Sequence, residues 1–131
     1  MKELAAIPAQ CERAAATVVD ASYRVHTTLG PGLLESVYEV CLCHELHKTG
    51  TPFQKQLVLP IEYDGITLDA GLRLDLIVND CVVVEMKATE KLLPIHEAQL
   101  LTYLKLTGKR LGLLINFNVP LIKDGIKRMA L

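Results

Sequence analysis

The sequence has little of several features that would place it in a large class of proteins. It has no tryptophan, four tyrosines and two phenylalanines, so it offers few rings on which nucleic-acid bases could stack. Its longest apolar runs, at residues 81–84 and 111–115, are far shorter than the roughly 20 residues of a membrane helix. No signal-peptide-like segment opens the chain. We therefore expect a cytoplasmic protein without a membrane segment.

Cysteine pairs at metal-binding or redox spacing are also missing. The four cysteines include no CxxC motif, which favours reduced and mostly buried thiols over a disulfide framework. With 131 residues, half of them hydrophobic, the chain is long enough to fold around one core without such crosslinks. We expect one domain over residues 1–131, with a frayed end at residues 1–10.

Net charge is small, −1 at pH 7, but the charges are unevenly distributed. Residues 105–131 carry six basic side chains and one acidic side chain. Such a basic end either faces anions such as phosphates or keeps an ordinary surface solvated. The sequence leaves both alternatives open.

Hydrophobic spacing predicts an α/β protein of the α+β type. Apolar residues at steps of three and four predict helices from Glu12 to Leu29 and from about residue 31 to Gly50, with a Gly-Pro-Gly turn between them. Apolar residues that alternate with polar ones, and turn residues such as Asp64-Gly65, predict hairpins after the second helix. The later elements are strands at 57–61, 66–68, 72–78 and 82–87, a helix at 94–108, a buried strand at 111–117 and an edge strand within 122–131. The resulting order, ααββββαββ, predicts a mixed central sheet flanked by helices.

The turn at residues 79–81 decides whether two acidic side chains meet. A two-residue turn would send Asp75 and Glu85 to opposite faces of the sheet. A three-residue turn places Leu74 opposite Met86 on a wholly apolar face and Asp75 opposite Glu85 on the other face. Because a slip of one residue moves every side chain to the other face, the apolar pattern selects the three-residue turn.

Two opposed carboxylates need compensation. At about 4 Å and an effective dielectric near 20, they repel by about 4 kcal/mol. A divalent cation, the neighbouring Lys87 and Arg73, or a raised carboxyl pKa could compensate for this repulsion. The alternative is an ordinary solvated face on which Glu85 pairs with a basic side chain.

One segment ahead of the strands resembles a known signature. The stretch LGPGLLESVY at residues 29–38 is similar to the signature of the GxxExxY proteins. Gly32, Glu35 and Tyr38 occupy its named positions. That family is assigned to the PD-(D/E)XK nuclease superfamily.

The strand segments resemble the core of the same superfamily. RLDLIV at 73–78 and VVEMKA at 83–88 are similar to its D…ExK motif, with Leu74 where many members have proline. HEAQLLTYL at 96–104 and GLLINF at 112–117 continue the resemblance, which covers about residues 14–130. It implies a restriction-endonuclease-like fold with a mixed central sheet.

The resemblance also implies a chemistry. It implies a metal-dependent nuclease that hydrolyses phosphodiester bonds of DNA, or of RNA, with Mg²⁺ or Mn²⁺ as cofactor. The implied metal ligands are Asp75, Glu85 and Glu35. Lys87 would hold the attacking water or a phosphate oxygen, and Gln99 would orient Lys87 or the water. The candidates for substrate contact are Tyr38, Arg73, His96 and Tyr103.

Each of these residues also has a structural alternative. Glu35 suits the positive end of a helix, and Lys87 could pair with a neighbouring carboxylate. Tyr38 could be a core residue with its hydroxyl at the rim, and His96 could be a rim residue.

Two other functional classes stay open at this point. The first is a catalytically silent nuclease-fold module that binds nucleic acid or a protein partner. The second is a small-molecule enzyme, for which the sequence offers no glycine-rich phosphate loop. Because specific DNA interfaces bury on the order of 1,000 Å² of protein surface, a nuclease this small predicts a homodimer or a partner.

Overall fold

A computed structural model describes residues 6–131, in which three helices pack on a five-stranded sheet. The elements are α1 (Ala9–Leu29), α2 (Glu35–Lys48), β1 (Phe53–Tyr63), β2 (Ile66–Val78), β3 (Val82–Lys87), α3 (Pro94–Thr107), β4 (Leu111–Asn116), a 3₁₀ turn (Ile122–Asp124) and β5 (Ile126–Ala130). The strands lie in the order β1-β2-β3-β4-β5. The pair β3–β4 is parallel and the other three pairs are antiparallel. The predicted mixed sheet of the α+β class is confirmed.

The element order differs from the prediction by one strand. Ile66–Val78 is continuous, so the order is ααβββαββ. The prediction had separate strands at 66–68 and 72–78, and the residues between them include Asp69 and Gly71, which are residue types common in turns. In the structure this segment stays within β2. The pairing of β1 with β2 shifts in register there, between the pair Leu59–Leu72 and the pair Ile61–Leu68.

Two helix boundaries also differ from the prediction. The second helix begins at Glu35 rather than near residue 31, because Leu34 before it is extended, with φ −70° and ψ 146°. Of the predicted frayed end, residues 1–5 lie outside the described part of the chain. Ala9 is already helical.

The two faces of the sheet bury separate clusters. Helices α1 and α2 cover one face, where Val18, Leu42 and Val84 belong to the larger cluster. Helix α3 covers the other face, where Leu100 and Leu114 belong to the second cluster. The strands β3 and β4 are buried on both faces, which explains the apolar runs at Val82–Val84 and Leu111–Ile115.

The register of the β2–β3 hairpin agrees with the prediction over its first three pairs. Val78 lies opposite Val82, and Leu76 lies opposite Val84. The turn between them has Asn79 and Asp80 in the left-handed region, each with φ 53°. The three-residue turn is thus confirmed, and the paired ladder ends at Leu76.

Beyond that point the prediction for Leu74 was wrong. Met86 belongs to the cluster under α1 and α2, whereas Leu74 belongs to the cluster under α3. The change of face on β2 falls at Asp75, between Leu76 in the first cluster and Leu74 in the second. On β1, Gln56, with φ 49°, lies opposite this point, between Lys55 and Leu57, which pair with Leu76 and Leu74.

The prediction of reduced thiols was wrong for two of the cysteines. Cys11 in the first turn of α1 and Cys81 in the hairpin turn form a disulfide with Cα atoms 5.2 Å apart. Cys41 and Cys43 on α2 are free. The pairing joins residues 70 positions apart, so only the packing of α1 on the sheet could reveal it.

Within residues 6–131, no helix has both the length and the apolar character needed to span a bilayer. The cytoplasmic location stays a prediction.

Candidate active site

Asp75 and Glu85 meet where β2 and β3 separate. The backbone N–H of Asp75 donates to Glu85 Oε1 at 3.2 Å, and the backbone N–H of Met86 donates to Asp75 Oδ2 at 2.9 Å. Each carboxylate therefore binds the backbone of the opposite strand, in place of the ladder that ends at Leu76. These reciprocal bonds hold the two acidic side chains together at the end of the paired region.

Burial and mutual repulsion make Glu85 hard to ionise. The residue is only 5% exposed, and its pKa is raised to about 8, first by burial and then by the negative charge of Asp75. Lys87 opposes this shift in part. Within residues 6–131, neither Asp75 nor Glu85 takes part in an ion pair. The alternative in which Glu85 pairs with a basic side chain is therefore not observed.

Lys87 and Glu35 lie close enough to Asp75 and Glu85 for their charges to interact. Lys87 is half-buried at the end of β3, two residues after Glu85 and thus on the same face. Glu35 is exposed at the start of α2, and partial desolvation followed by the charge of Asp75 raises its pKa, while Lys87 lowers it. The structure thus brings Glu35, Asp75, Glu85 and Lys87 into one region.

Tyr38 is a structural residue rather than a substrate contact. Its side chain is fully buried and stacks on Phe117 with ring centroids 4.6 Å apart. The hydroxyl donates to the carbonyl oxygen of Gly30 at 2.7 Å and accepts the N–H of Leu33 at 3.1 Å. Tyr38 therefore fixes the loop that leads into Glu35, and the predicted substrate contact is corrected.

Tyr103 and Arg73 lie near the two carboxylates. The pKa of Tyr103 is raised first by desolvation and then by the charges of Glu85 and Asp75, while Arg73 lowers it. Gln99 precedes Tyr103 by four residues on α3, so both occupy one helix face, and Gln99 is exposed. These positions leave Gln99 and Tyr103 available at the side of the sheet that carries the carboxylates.

His96 forms a hydrogen bond at the start of α3. Its Nδ1 accepts the backbone N–H of Leu93 at 3.0 Å, which satisfies one of the free donors at the helix start. The imidazole thus has a capping role, in agreement with the structural alternative for this residue.

The donor set fits a hard divalent cation that keeps several waters. Within the described residues, no group of three or more potential ligand side chains converges on one point, so Glu35 is not gathered into a closed site with Asp75 and Glu85. Mg²⁺ is often held by one or two carboxylates and water. The close pair of Asp75 and Glu85, one of them buried without an ion-pair partner, matches that chemistry.

Two residues near the site were missed by the sequence analysis. Gln56 donates through Nε2 to Glu39 Oε1 at 2.6 Å, and the charge of Glu39 contributes to the raised pKa of Glu35. The spacing of four between Glu35 and Glu39 on a helix is a signal that could have identified Glu39. No sequence pattern predicts the left-handed backbone of Gln56.

Most basic side chains of the C-terminal end form ion pairs or hydrogen bonds within the molecule. Lys127 pairs with Glu97 at 2.8 Å, Lys109 pairs with Asp80 at 3.2 Å, and Arg128 pairs with Glu12. Arg110 donates to the backbone oxygens of Leu131 and Ala6. The solvated-surface alternative therefore describes this end better than an anion-binding surface does.

The chain belongs to the PD-(D/E)XK nuclease superfamily, whose family model matches residues 12–129. Membership supports a nuclease function and nucleic-acid binding, and nucleases of this superfamily generally use divalent metals. No curated protein and no solved structure gives a significant match. The narrower resemblance to the GxxExxY proteins stays a prediction.

Proposed function

We propose that this protein is a metal-dependent nuclease that hydrolyses phosphodiester bonds of DNA, with Mg²⁺ or Mn²⁺ held by Asp75 and Glu85. The observation that carries the proposal is the carboxylate pair itself. Glu85 is buried beside Asp75, and neither forms an ion pair within residues 6–131. Burial and then the negative charge of Asp75 raise the pKa of Glu85, and a bound cation would offset both effects.

The other residues have distinct proposed roles. When bound, the cation supplies an activated water and neutralises charge that develops on the phosphate. Lys87 holds the attacking water or a phosphate oxygen, and Gln99 orients Lys87 or that water. Glu35 contributes to the metal site through water. Arg73 and Tyr103 contact the substrate backbone.

The loss of stability caused by burying two opposed carboxylates favours the proposal over a catalytically silent module. Burying an ionisable group beside a like charge destabilises the fold. A module that only binds a partner does not need Asp75 and Glu85 opposed. No contact of the described residues favours the silent module.

The experiment is calorimetric titration with Mg²⁺ and Mn²⁺, followed by cleavage of plasmid and single-stranded DNA and of RNA in the same buffers. The variants are Asp75→Asn and Glu85→Gln, which keep an oxygen acceptor for the backbone N–H groups. Asp69→Asn is the matched control, because Asp69 is an exposed acid on the same strand. We expect the first two to weaken metal binding at least about tenfold and to abolish cleavage, whereas Asp69→Asn changes neither.

A fourth variant separates metal binding from the cleavage step. Lys87→Met removes the ammonium group but keeps much of the stem, so it should retain metal binding and lose cleavage. Absence of metal binding in the wild type would instead favour the silent module. Preferential cleavage of RNA would correct the substrate.

We also propose that the active form is a homodimer, on the ground that one domain of this size offers little surface for gripping a duplex. Analytical ultracentrifugation with and without DNA tests this. A monomer on DNA would contradict it.

A further inference from the structure

Asn116 lies at the point where the strand that carries Lys87 ends. It is the last residue of β4, directly paired in register with Lys87, the last residue of β3. Its side chain is almost completely buried, with 2% of the residue exposed. A buried amide side chain must have its hydrogen-bonding groups satisfied.

The amide of Asn116 binds the backbone of Thr89 in both directions. Its Nδ2 donates to the carbonyl oxygen of Thr89 at 3.0 Å, and its Oδ1 accepts the N–H of Thr89 at 3.1 Å. Oδ1 also accepts the N–H of Asn118 at 3.2 Å. The side chain thus continues the strand pairing beyond Lys87. An amide is suited to this because it offers a donor and an acceptor on one planar group.

Two neighbouring residues strengthen the same junction. The N–H of Phe117 donates to the carbonyl oxygen of Lys87 at 3.0 Å, and Asn118 Nδ2 donates to the carbonyl oxygen of Thr89 at 3.2 Å. Residues 116–118 therefore bind the backbone of this segment at both ends, at Lys87 and at Thr89. This fixes the backbone position that carries the Lys87 side chain, whose charge acts on Glu85.

We propose that Asn116 is a positioning residue for Lys87. The inference rests on the proposed nuclease function. Asn116 acts through the backbone of Thr89 and Lys87, and both its Nδ2 and its Oδ1 bind backbone groups. Removing the amide should leave Asp75 and Glu85 in place, because their mutual bonds lie on the other side of Lys87 along β3.

The test compares Asn116→Ala and Asn116→Asp with the wild type. Asn116→Ala removes both hydrogen bonds to Thr89, and Asn116→Asp keeps the acceptor but removes the donor. We expect kcat for DNA cleavage to fall at least about tenfold in Asn116→Ala and less in Asn116→Asp. KM and the Kd for Mg²⁺ should stay within about threefold of the wild type, since the carboxylates are undisturbed.

Two further readouts do not depend on activity. Hydrogen exchange of the Thr89 amide should accelerate at least about tenfold in Asn116→Ala, because its acceptor is gone. In lysine-labelled protein, the NMR signal of the Lys87 side chain, assigned with Lys87→Arg, should shift in both variants.

Ser22→Ala is the control for a loss of stability without a change at the strand end. Ser22 is fully buried, and its hydroxyl donates to the carbonyl oxygen of Val18 within α1 at 2.8 Å. All variants are assayed well below their Tm. Ser22→Ala should lose stability but keep kcat and the Lys87 signal. If Asn116→Ala does not fold, Asn116→Asp and Asn118→Ala provide the same test with fewer lost bonds.

The outcomes separate this inference from the proposed function. An unchanged Lys87 signal with unchanged kcat in the folded variants, or an equal loss of kcat in Ser22→Ala, overturns the positioning role while the nuclease function stands. A wild type that neither binds Mg²⁺ nor cleaves nucleic acid overturns the proposed function. In that case a shifted Lys87 signal still supports the positioning of Lys87 by Asn116, and an unshifted one overturns it.

Discussion

At the scale of single residues, the Glu85 carboxyl group combines burial with a like-charged neighbour. Its pKa is about 8, against an ordinary value of 4.5. Between these two values the folded protein binds more protons than the unfolded chain does, so the free energy of unfolding falls as pH rises. The stabilising contribution of the protonated group is fully present below pH 4.5 and is lost as pH rises through about 8. Ionisation of Glu85 therefore destabilises the metal-free protein.

The substitution Glu85→Gln should remove this pH dependence. In EDTA at pH 9, we expect Glu85→Gln to be more stable than the wild type by about 1 to 3 kcal/mol, a gain of several degrees in Tm. Near pH 4.5 the difference should largely vanish. Thermal unfolding between pH 4.5 and 9 measures this.

Glu62→Gln is the control. Because Glu62 is exposed on β1, this substitution should leave the pH dependence of stability unchanged. Added Mg²⁺ at pH 8 should raise the Tm of the wild type and not that of Glu85→Gln. Parallel stability profiles for Glu85→Gln and the wild type would contradict the buried, hard-to-ionise state of this group.

At the scale of elements, the loop between α1 and α2 decides where Glu35 lies. Gly30 ends the first helix with φ 71°, a left-handed conformation that glycine adopts readily. The hydroxyl of Tyr38 then spans the loop from Gly30 to Leu33. The orientation of α2, and with it the position of Glu35, depends on this buried hydroxyl.

The substitution Tyr38→Phe should loosen this loop without emptying the core. The ring can still stack on Phe117, but the carbonyl of Gly30 and the N–H of Leu33 lose their partner. We expect a destabilisation of about 1 to 3 kcal/mol and faster hydrogen exchange of the Leu33 amide, measured by chemical denaturation and NMR.

The control for Tyr38→Phe is Tyr23→Phe. Tyr23 lies on α1 and is 43% exposed, so the loss of its hydroxyl should change stability by less than about 0.5 kcal/mol. Equal effects of the two substitutions would show that the Tyr38 hydroxyl does not stabilise the loop.

At the scale of the whole molecule, the Cys11–Cys81 disulfide connects the first helix to the hairpin turn. It closes a loop with a sequence separation of 70 residues. A crosslink of this length restricts the unfolded chain and typically stabilises a protein by about 2 to 4 kcal/mol. The same turn sets the register that brings Asp75 and Glu85 together, so the crosslink stabilises the region from which the site extends.

Reduction of this disulfide should lower Tm by several degrees, in line with about 2 to 4 kcal/mol. The double variant Cys11→Ser/Cys81→Ser should show a similar Tm with or without dithiothreitol. Cys41→Ser, which replaces a free cysteine, should respond to reductant as the wild type does. A wild-type Tm that is insensitive to complete reduction, verified by thiol titration, would contradict a stabilising crosslink.

The sequence alone was sufficient to determine the mixed sheet, the three-residue hairpin turn and the meeting of Asp75 with Glu85. The register of the hairpin depends on alternation of side chains along β2 and β3 as far as Leu76, a local property that a slip of one residue would invert. This register brings Asp75 and Glu85 to the same end of the paired ladder. The ordered motifs also identified the superfamily that the family model confirms. The single strand Ile66–Val78 was missed because turn-type residues can also occupy a bulged hairpin.

Only the tertiary structure decided the face of Leu74, the burial of Tyr38, the pairing of Cys11 with Cys81, and the bonds of Asn116 to Thr89. Each of these depends on contacts between segments that lie apart in the chain. Side-chain spacing carries information about which face a residue occupies within its own element. Which groups meet across elements is determined by how the helices pack on the sheet.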